Sequence, residues 1–303
     1  MPLPIFNIAG CITGKTLDFN RKHFKARFVF AGSPDFAVPT LSALFDAHEN
    51  QCLGVFTQPE KPTGRGQTMR ATAVHTYVKD RGTRVPLFHP QTPNEFELAI
   101  QELRPDIIIV VAYGMLIPKV IVDQYCCINV HPSLLPKYRG ATPIQAALLN
   151  QDSVSGVSLI HMNERMDAGD VLLTESRPIR VASTAGELHA EYAHLGAHLC
   201  LCYLYNRESI VPIPQNNGIA TYCKKIQSID ACLKPEHTIK EKLARIQAFS
   251  PKPGAYIIQN DKRIKILRAQ LMNNALEPLE IQVEGKQKMA YAHYLAGNPP
   301  VVI

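Results

Sequence analysis

Five consecutive β-branched residues, Ile107 to Val111 in the stretch DIIIVVAYG, leave few choices for the fold. Such side chains favour strands, and successive strand residues point to opposite faces. Both faces of this strand are therefore apolar and both need cover. Shorter runs of the same kind recur in ARFVFAG (26–32), QCLGVFTQ (51–58), VPLF (85–88) and CCINV (126–130). Helix-like stretches lie among them, FAVPTLSALFDA (36–47) and PNEFELAIQEL (93–103). The alternation predicts an α/β unit with a mostly parallel sheet and helices on both sides. GVSLIHMN (156–163) and DVLLTESRPI (170–179) predict two more strands around the turn MDAGD, with a long helix over 184–205.

VPIPQNNGIA (211–220), rich in Pro and Asn, reads as an interdomain linker. Beyond it a helix, TIKEKLARIQAF (238–249), and three short strand candidates, AYIIQ, RIKILRAQL and LEIQVEG, predict a small separate α+β or all-β module. The expected division is an N-terminal extension (1–25), a main domain (26–208), a linker (209–228) and a C-terminal domain (229–303). A length of 303 residues accommodates this. The net charge of +6 is confined to the end of the chain. Residues 211–303 hold 13 Lys and Arg against 7 Asp and Glu, and the rest balances at 19 of each. A basic appendage on a neutral body suits a polyanion such as nucleic acid, although a solvated lysine-rich face gives the same count.

No apolar run approaches membrane-spanning length, so no membrane partner is expected. The first 25 residues have no signal-peptide pattern. Their Lys15, Arg21 and Lys22 are compatible with a transit peptide, and a plain extension is the simpler reading. None of the eight cysteines forms a C-x-x-C pair. They read as small buried apolar residues in a reducing compartment, with no metal site, and the expected location is the cytoplasm. FAGSPDFA carries one glycine where a dinucleotide fingerprint needs three, so no nicotinamide cofactor is expected.

In a parallel sheet ligands bind beyond the carboxyl ends of the strands. CCINVH ends there with Asn129 and His131, two apart and hence on one side of the strand. The asparagine amide can donate to a developing oxyanion, and the imidazole can carry a proton near neutral pH. Asp167 in RMDAGD, 36 residues beyond His131, is a carboxylate suited to orienting that ring. The three make a candidate site for acyl transfer to a nucleophile bound from outside. A hydrogen-bonded structural pair and an ordinary turn aspartate would leave the same sequence trace. Ser133 lacks a nucleophile-elbow context, and a buried Cys127 would be inert.

INVHPSLLPKYRGATPIQ (128–145) and MDAGDVLL (166–173) resemble the two signatures of the 10-formyltetrahydrofolate-dependent formyltransferases, in the right order and spacing. FAGSPDFAVPTL (30–41) and VFTQPEKPTGRGQ (55–67) are similar to the branch that formylates methionine carried on initiator tRNA. The resemblance runs from about Phe28 to about Gly297. It implies a Rossmann-like formyltransferase fold followed by an OB-like β-barrel. It implies that Asn129 polarises the formyl carbonyl, that His131 stabilises the same charge and assists proton transfer, and that Asp167 orients His131. The donor, 10-formyltetrahydrofolate, would lie along the strand ends. Its pterin would meet the backbone of Met115, Leu116 and Ile117 and the 163–169 turn. Ser133, Leu134, Leu135 and Pro136 match the family's folate-contacting stretch. The initiator methionyl-tRNA would meet Arg65 in an inserted loop, aided by Lys61 and Arg70. Lys224, Lys225, Lys262, Arg263, Lys265 and Arg268 are candidate phosphate contacts in the C-terminal domain. A monomer is expected.

The chain departs from the family's pattern in three places. The first 25 residues have no counterpart. AFSPKPGAY has Lys252 where a tryptophan is usual, and the barrel segment is short by roughly a hairpin or two at ordinary strand lengths. Rival readings are a formyltransferase for a sugar or nucleotide amine, a folate hydrolase, and a tRNA-binding relative with weakened activity.

Overall fold

The computed structural model describes residues 25–63 and 67–303, so the N-terminal extension up to residue 24 and Arg65 lie outside the described residues. The chain divides into two compact units. One comprises the described residues up to Arg139 with Gly156–Ser176 and Glu191–Ala220; the other comprises Gly140–Ser155, Arg177–Ala190 and Thr221–Ile303.

In the first unit β1 (Phe28–Gly32) leads into α1 (Val38–His48) and β2 (Cys52–Phe56). A short hairpin of β3 (Lys61–Thr63) and β4 (Thr68–Arg70) precedes α2 (Ala73–Arg81), β5 (Leu87–Phe88), α3 (Pro93–Leu103) and β6 (Ile107–Val111). Along the chain next come α4 (Lys119–Gln124), β7 (Cys126–His131), β8 (Arg139–Gly140), α5 (Pro143–Leu149), β9 (Val154–His161), β10 (Val171–Pro178) and α6 (Ala185–Asn206); α5 belongs to the second unit, and β8, β9, β10 and α6 each have residues in both. The predicted helix 93–103 has the observed bounds for local reasons. Pro93 suits the first helical position, and the Thr92 hydroxyl accepts from the Glu95 amide at 3.2 Å. Phe96 and Ile100 then fall on its buried face.

Seven strands form one sheet in the order β10-β9-β7-β6-β1-β2-β5. The pairs β1 with β2, β1 with β6, β2 with β5 and β6 with β7 are parallel, and β9 turns antiparallel against β7. The chain leaves β1 towards β2 on one side and returns to β6 on the other, which opens a crevice beyond the strand ends there. All five side chains of β6 are buried, as its doubly apolar sequence requires. β7 lies inside the sheet, so Asn129 is held by Val110 on one side and Ile160 on the other.

The stretch 211–220 follows the body closely despite its two prolines. Ile213 and Val171 exchange both backbone hydrogen bonds, at 2.8 and 2.9 Å. Proline removes one donor and leaves its neighbours free to pair, so a single bridge forms where a strand could not.

In the second unit β11 (Tyr222–Cys223) is followed by α7 (Ile239–Phe249), β12 (Ala255–Gln259), β13 (Lys262–Met272), β14 (Ala275–Val283), β15 (Met289–Ala290) and α8 (Tyr291–Leu295). Thr238 and Glu241 close a capping box at the start of α7, which buries Ala244, Ile246, Ala248 and Phe249. Asn273 and Asn274, both left-handed, form the two-residue turn between β13 and β14. The four strands β12 to β15 form an open antiparallel sheet. Among the described residues no barrel closes, in accord with the short segment read from the sequence. No helix among them is long and apolar enough to cross a membrane.

Close packing beside β7 has a measurable consequence. Alanine in place of glycine inside a helix ordinarily gains about 1 kcal/mol. At Gly196 in α6 the added Cβ would stand 2.5 Å from Cγ1 of Val130, a stiff β-branched side chain next to His131. Overpacking of that kind costs about 1–3 kcal/mol and outweighs the helical gain. Gly196→Ala should therefore lower the free energy of unfolding in urea by up to about 2 kcal/mol; an increase would contradict this packing.

Candidate active site

β7 delivers Asn129 and His131 to the same side of the sheet at its carboxyl end. The imidazole is 4% exposed. Its Nε2 lies 2.9 Å from the Tyr138 carbonyl oxygen, which can only accept, so Nε2 carries a hydrogen. In the neutral ring Nδ1 is then the acceptor. Nδ1 faces Asp167 Oδ1 at 3.7 Å, too far for a direct hydrogen bond. The sequence spacing thus does bring this carboxylate to the histidine.

Asp167 sits in a tight turn at φ +52°, in the left-handed region that aspartate tolerates. Gly169 closes the same turn, and a Cβ there would meet the His161 carbonyl oxygen at 1.7 Å. Only glycine permits that approach.

Asn129 and Asp167 both line a cavity of about 230 Å³, together with Met115, Leu116 and Ile117. Ile117 is buried, Met115 half-buried and Leu116 fully at the surface. Val110, Ile160 and Met162 make apolar walls, and Asn163, Arg165 and Met166 of the turn complete the lining. At the rim Lys119 bridges Asp123 at 3.0 Å and Glu164 at 3.1 Å. These carboxylates, Asp123 first, hold the ammonium above its usual range.

Ser133, Leu134, Leu135 and Pro136 are not among the lining residues. Ser133 Oγ donates to the Lys137 carbonyl at 2.6 Å, and Ser158 Oγ donates to the Ser133 carbonyl at 2.7 Å. The Leu135 amide donates back to Ser158 Oγ at 3.1 Å. Leu135 packs with Ile160 and Val171, so this stretch frames the site from behind. Cys127, also two residues from Asn129, is fully buried. Burial pushes its thiol up to about 12, so it stays protonated and unreactive near neutral pH.

The remaining candidates lie elsewhere. Lys61 and Arg70 are directly opposite each other across the β3–β4 hairpin and exposed; Arg65, between the two strands in sequence, lies outside the described residues. Lys224, Lys225, Lys262 and Arg263 are exposed in the second unit. The Arg263 guanidinium lies 4.1 Å over the Tyr256 ring. Lys265 is half-buried, and Arg268 is paired with Glu187, whose carboxyl it holds below the usual range. Among the described residues no group of His, Cys, Asp and Glu could hold a metal ion.

The sequence reading missed the partner of Nε2, since a backbone carbonyl leaves no residue signature. It also missed Arg139 and Gln215 behind the site. A polar residue directly after the second proline of a supposed linker was the one available signal for Gln215.

Residues 25–202 match the family described as "Formyl transferase", and residues 225–278 match "Formyl transferase, C-terminal domain". The methionyl-tRNA formyltransferase of Ehrlichia ruminantium (strain Welgevonden) is 35% identical over 299 residues, covering 89% of this chain and 97% of that protein. That of Rickettsia prowazekii (strain Madrid E) is 38% identical over 251 residues, covering 82% of each. The solved methionyl-tRNA formyltransferase from Clostridium thermocellum superposes with a TM-score of 0.62 at 16% identity, covering 85% of this chain and 98% of that one. An N-formyltransferase from Helicobacter canadensis, solved with folinic acid and dTDP-3-aminofucose, gives a TM-score of 0.63 at 20% identity, over 84% and 94%. At such identities the solved structures speak for the fold; the family matches and the closer relatives go further, and the chain belongs to the formyl transferase family.

Proposed function

We propose that this chain transfers the formyl group of 10-formyltetrahydrofolate to the α-amine of methionine carried on initiator tRNA. The observation that carries the reading is that Asn129 and Asp167 line one apolar slot and that Asp167 stands 3.7 Å from the His131 ring. The slot's walls, Val110, Ile117, Ile160 and Met162, suit a flat ring system such as a pterin.

The residues would divide the work as follows. Asn129 donates its amide N–H to the formyl oxygen as negative charge develops there. His131 presents Nδ1 as acceptor for the proton that the attacking amine loses, and Asp167 stabilises the imidazolium across the 3.7 Å gap. One C–N bond forms to the amine and the bond to the folate nitrogen breaks. The proton held at His131 is returned to that nitrogen as it leaves, so charge and atoms balance. No protein nucleophile is required, in keeping with a neutral Cys127 and a hydroxyl of Ser133 committed to Lys137.

Specificity for tRNA over a sugar amine is favoured by the hairpin. Residues directly opposite in an antiparallel pair share a face, and like charges there destabilise the pair. Lys61 and Arg70 occupy such a position, and a phosphate backbone would offset their repulsion. The second unit carries exposed cations of its own at Lys262 and Arg263.

The direct test supplies folate donor with methionine-charged initiator tRNA, free methionine or no acceptor. Formyl label should appear only on the charged tRNA; equal labelling of free methionine would remove the tRNA from the reading. Asn129→Asp keeps the shape and loses the donor, so kcat/KM should fall about 10²–10³-fold with donor binding nearly unchanged. A loss below tenfold would mean another group holds the oxyanion. Cys127→Ala should turn over within about threefold of the parent, and neither protein should show a burst of released tetrahydrofolate without acceptor. A burst would reveal an acyl-enzyme.

A further inference from the structure

Asp167 and the Tyr138 carbonyl approach the imidazole from different loops, and both backbones are left-handed, at φ +52° and φ +60°. Neither residue is glycine, so each conformation costs energy that its surroundings must supply. One small network joins the two loops. Gln215 Nε2 donates to the Asp167 carbonyl at 2.8 Å and to the Gly169 carbonyl at 2.7 Å. Its Oε1 accepts from Arg139 Nε at 3.1 Å and Nη2 at 2.8 Å. Arg139 Nη2 also donates to Asn217 Oδ1 at 2.9 Å.

Every polar group of the Gln215 side chain is thereby used, and the amide has one sensible orientation. Reversed, it would set N–H against a guanidinium and oxygen against two carbonyls. Arg139 directly follows Tyr138 and is 2% exposed. Burying a guanidinium is expensive even when its fork is filled, and this one stands beside the carbonyl that fixes His131. The Ile213–Val171 bridge anchors the segment two residues before Gln215.

We propose that Gln215 and Arg139 are positioning residues for the formyl transfer, a clasp that sets the distance between Asp167 and His131 Nδ1. Neither is in the cavity lining, so they act through the turn and the Tyr138 carbonyl. The clasp rests on the reading of His131 and Asp167 given under Proposed function. It also explains why a polar segment follows the body so closely.

Gln215→Glu separates this from a general role in folding. A carboxylate still accepts from Arg139, so the buried guanidinium keeps its partner, while both donations to the 167–169 turn are lost. The variant should stay folded and melt no more than a few degrees below the parent, since the ion pair with Arg139 offsets part of the two lost donations. Its kcat should fall about tenfold or more, as misplacement of a catalytic group demands, with donor KM within about threefold. If Gln215 acts through Asp167, the same change in an Asp167→Asn background should cost less than about twofold more. Amides of residues 166–169 should exchange with solvent about tenfold faster in the single variant. An additive double-mutant cycle, or turn amides exchanging at the parent rate, would overturn the clasp. Should the parent fail to formylate methionyl-tRNA, the functional reading falls and the exchange measurement alone decides the clasp.

Discussion

The hydrogen bond from His131 Nε2 to the Tyr138 carbonyl, 2.9 Å long, sets what the rest of the site can do. A ring nitrogen spent on a backbone carbonyl cannot also meet substrate. The bond therefore turns a symmetric proton carrier into a directed one, with its acceptor nitrogen towards Asp167. Because the carboxylate stays 3.7 Å away, it can stabilise an imidazolium without taking the position that an arriving proton needs. Burial strengthens that attraction, since at 4% exposure little water screens it.

Several levels of structure serve this one contact. β-branched runs build a sheet covered on both faces, and an interior strand, β7, fixes the backbone of Asn129 and His131 from both sides. The loop after β7 is stapled by Ser133 and Ser158, which turns it back so that Tyr138 reaches the ring. The turn after β9 is closed by Gly169 and held by Gln215. In the proposed mechanism a rigid strand thus holds the oxyanion donor and the imidazole, and two strained loops set the ring's tautomer and its carboxylate. That division is common in sites where strain is held by the surrounding fold.

Much of this was legible in the sequence. The strands β1, β6, β7 and β12 and the helix α3 fall where period, β-branching and caps predicted them. Asn129 and His131 were marked by spacing and chemistry at a strand end and Asp167 by the family resemblance; the structure brings the Asp167 carboxylate to 3.7 Å from the His131 ring. What escaped notice has no local signature. The helix Ala73–Arg81 is polar and short on apolar period, although Thr72 and the left-handed Gly82 bound it as caps. The β3–β4 hairpin is hidden by Pro62 and its glycines, which read as loop. The role of 211–220 depends on backbone bridging and on one side chain, Gln215, and composition alone suggests a linker. Ser133 to Pro136 matched a folate-contacting motif, and their hydrogen bonds to Lys137 and Ser158 left no trace in the sequence.

The most direct measurement is a long-range ¹⁵N spectrum of the His131 imidazole in the unmodified protein, taken where the ring is neutral. The account predicts one tautomer, hydrogen on Nε2 and a bare Nδ1. A signal with the hydrogen on Nδ1, or an equal mixture of the two forms, would contradict it, because the proton acceptor would then point away from Asp167.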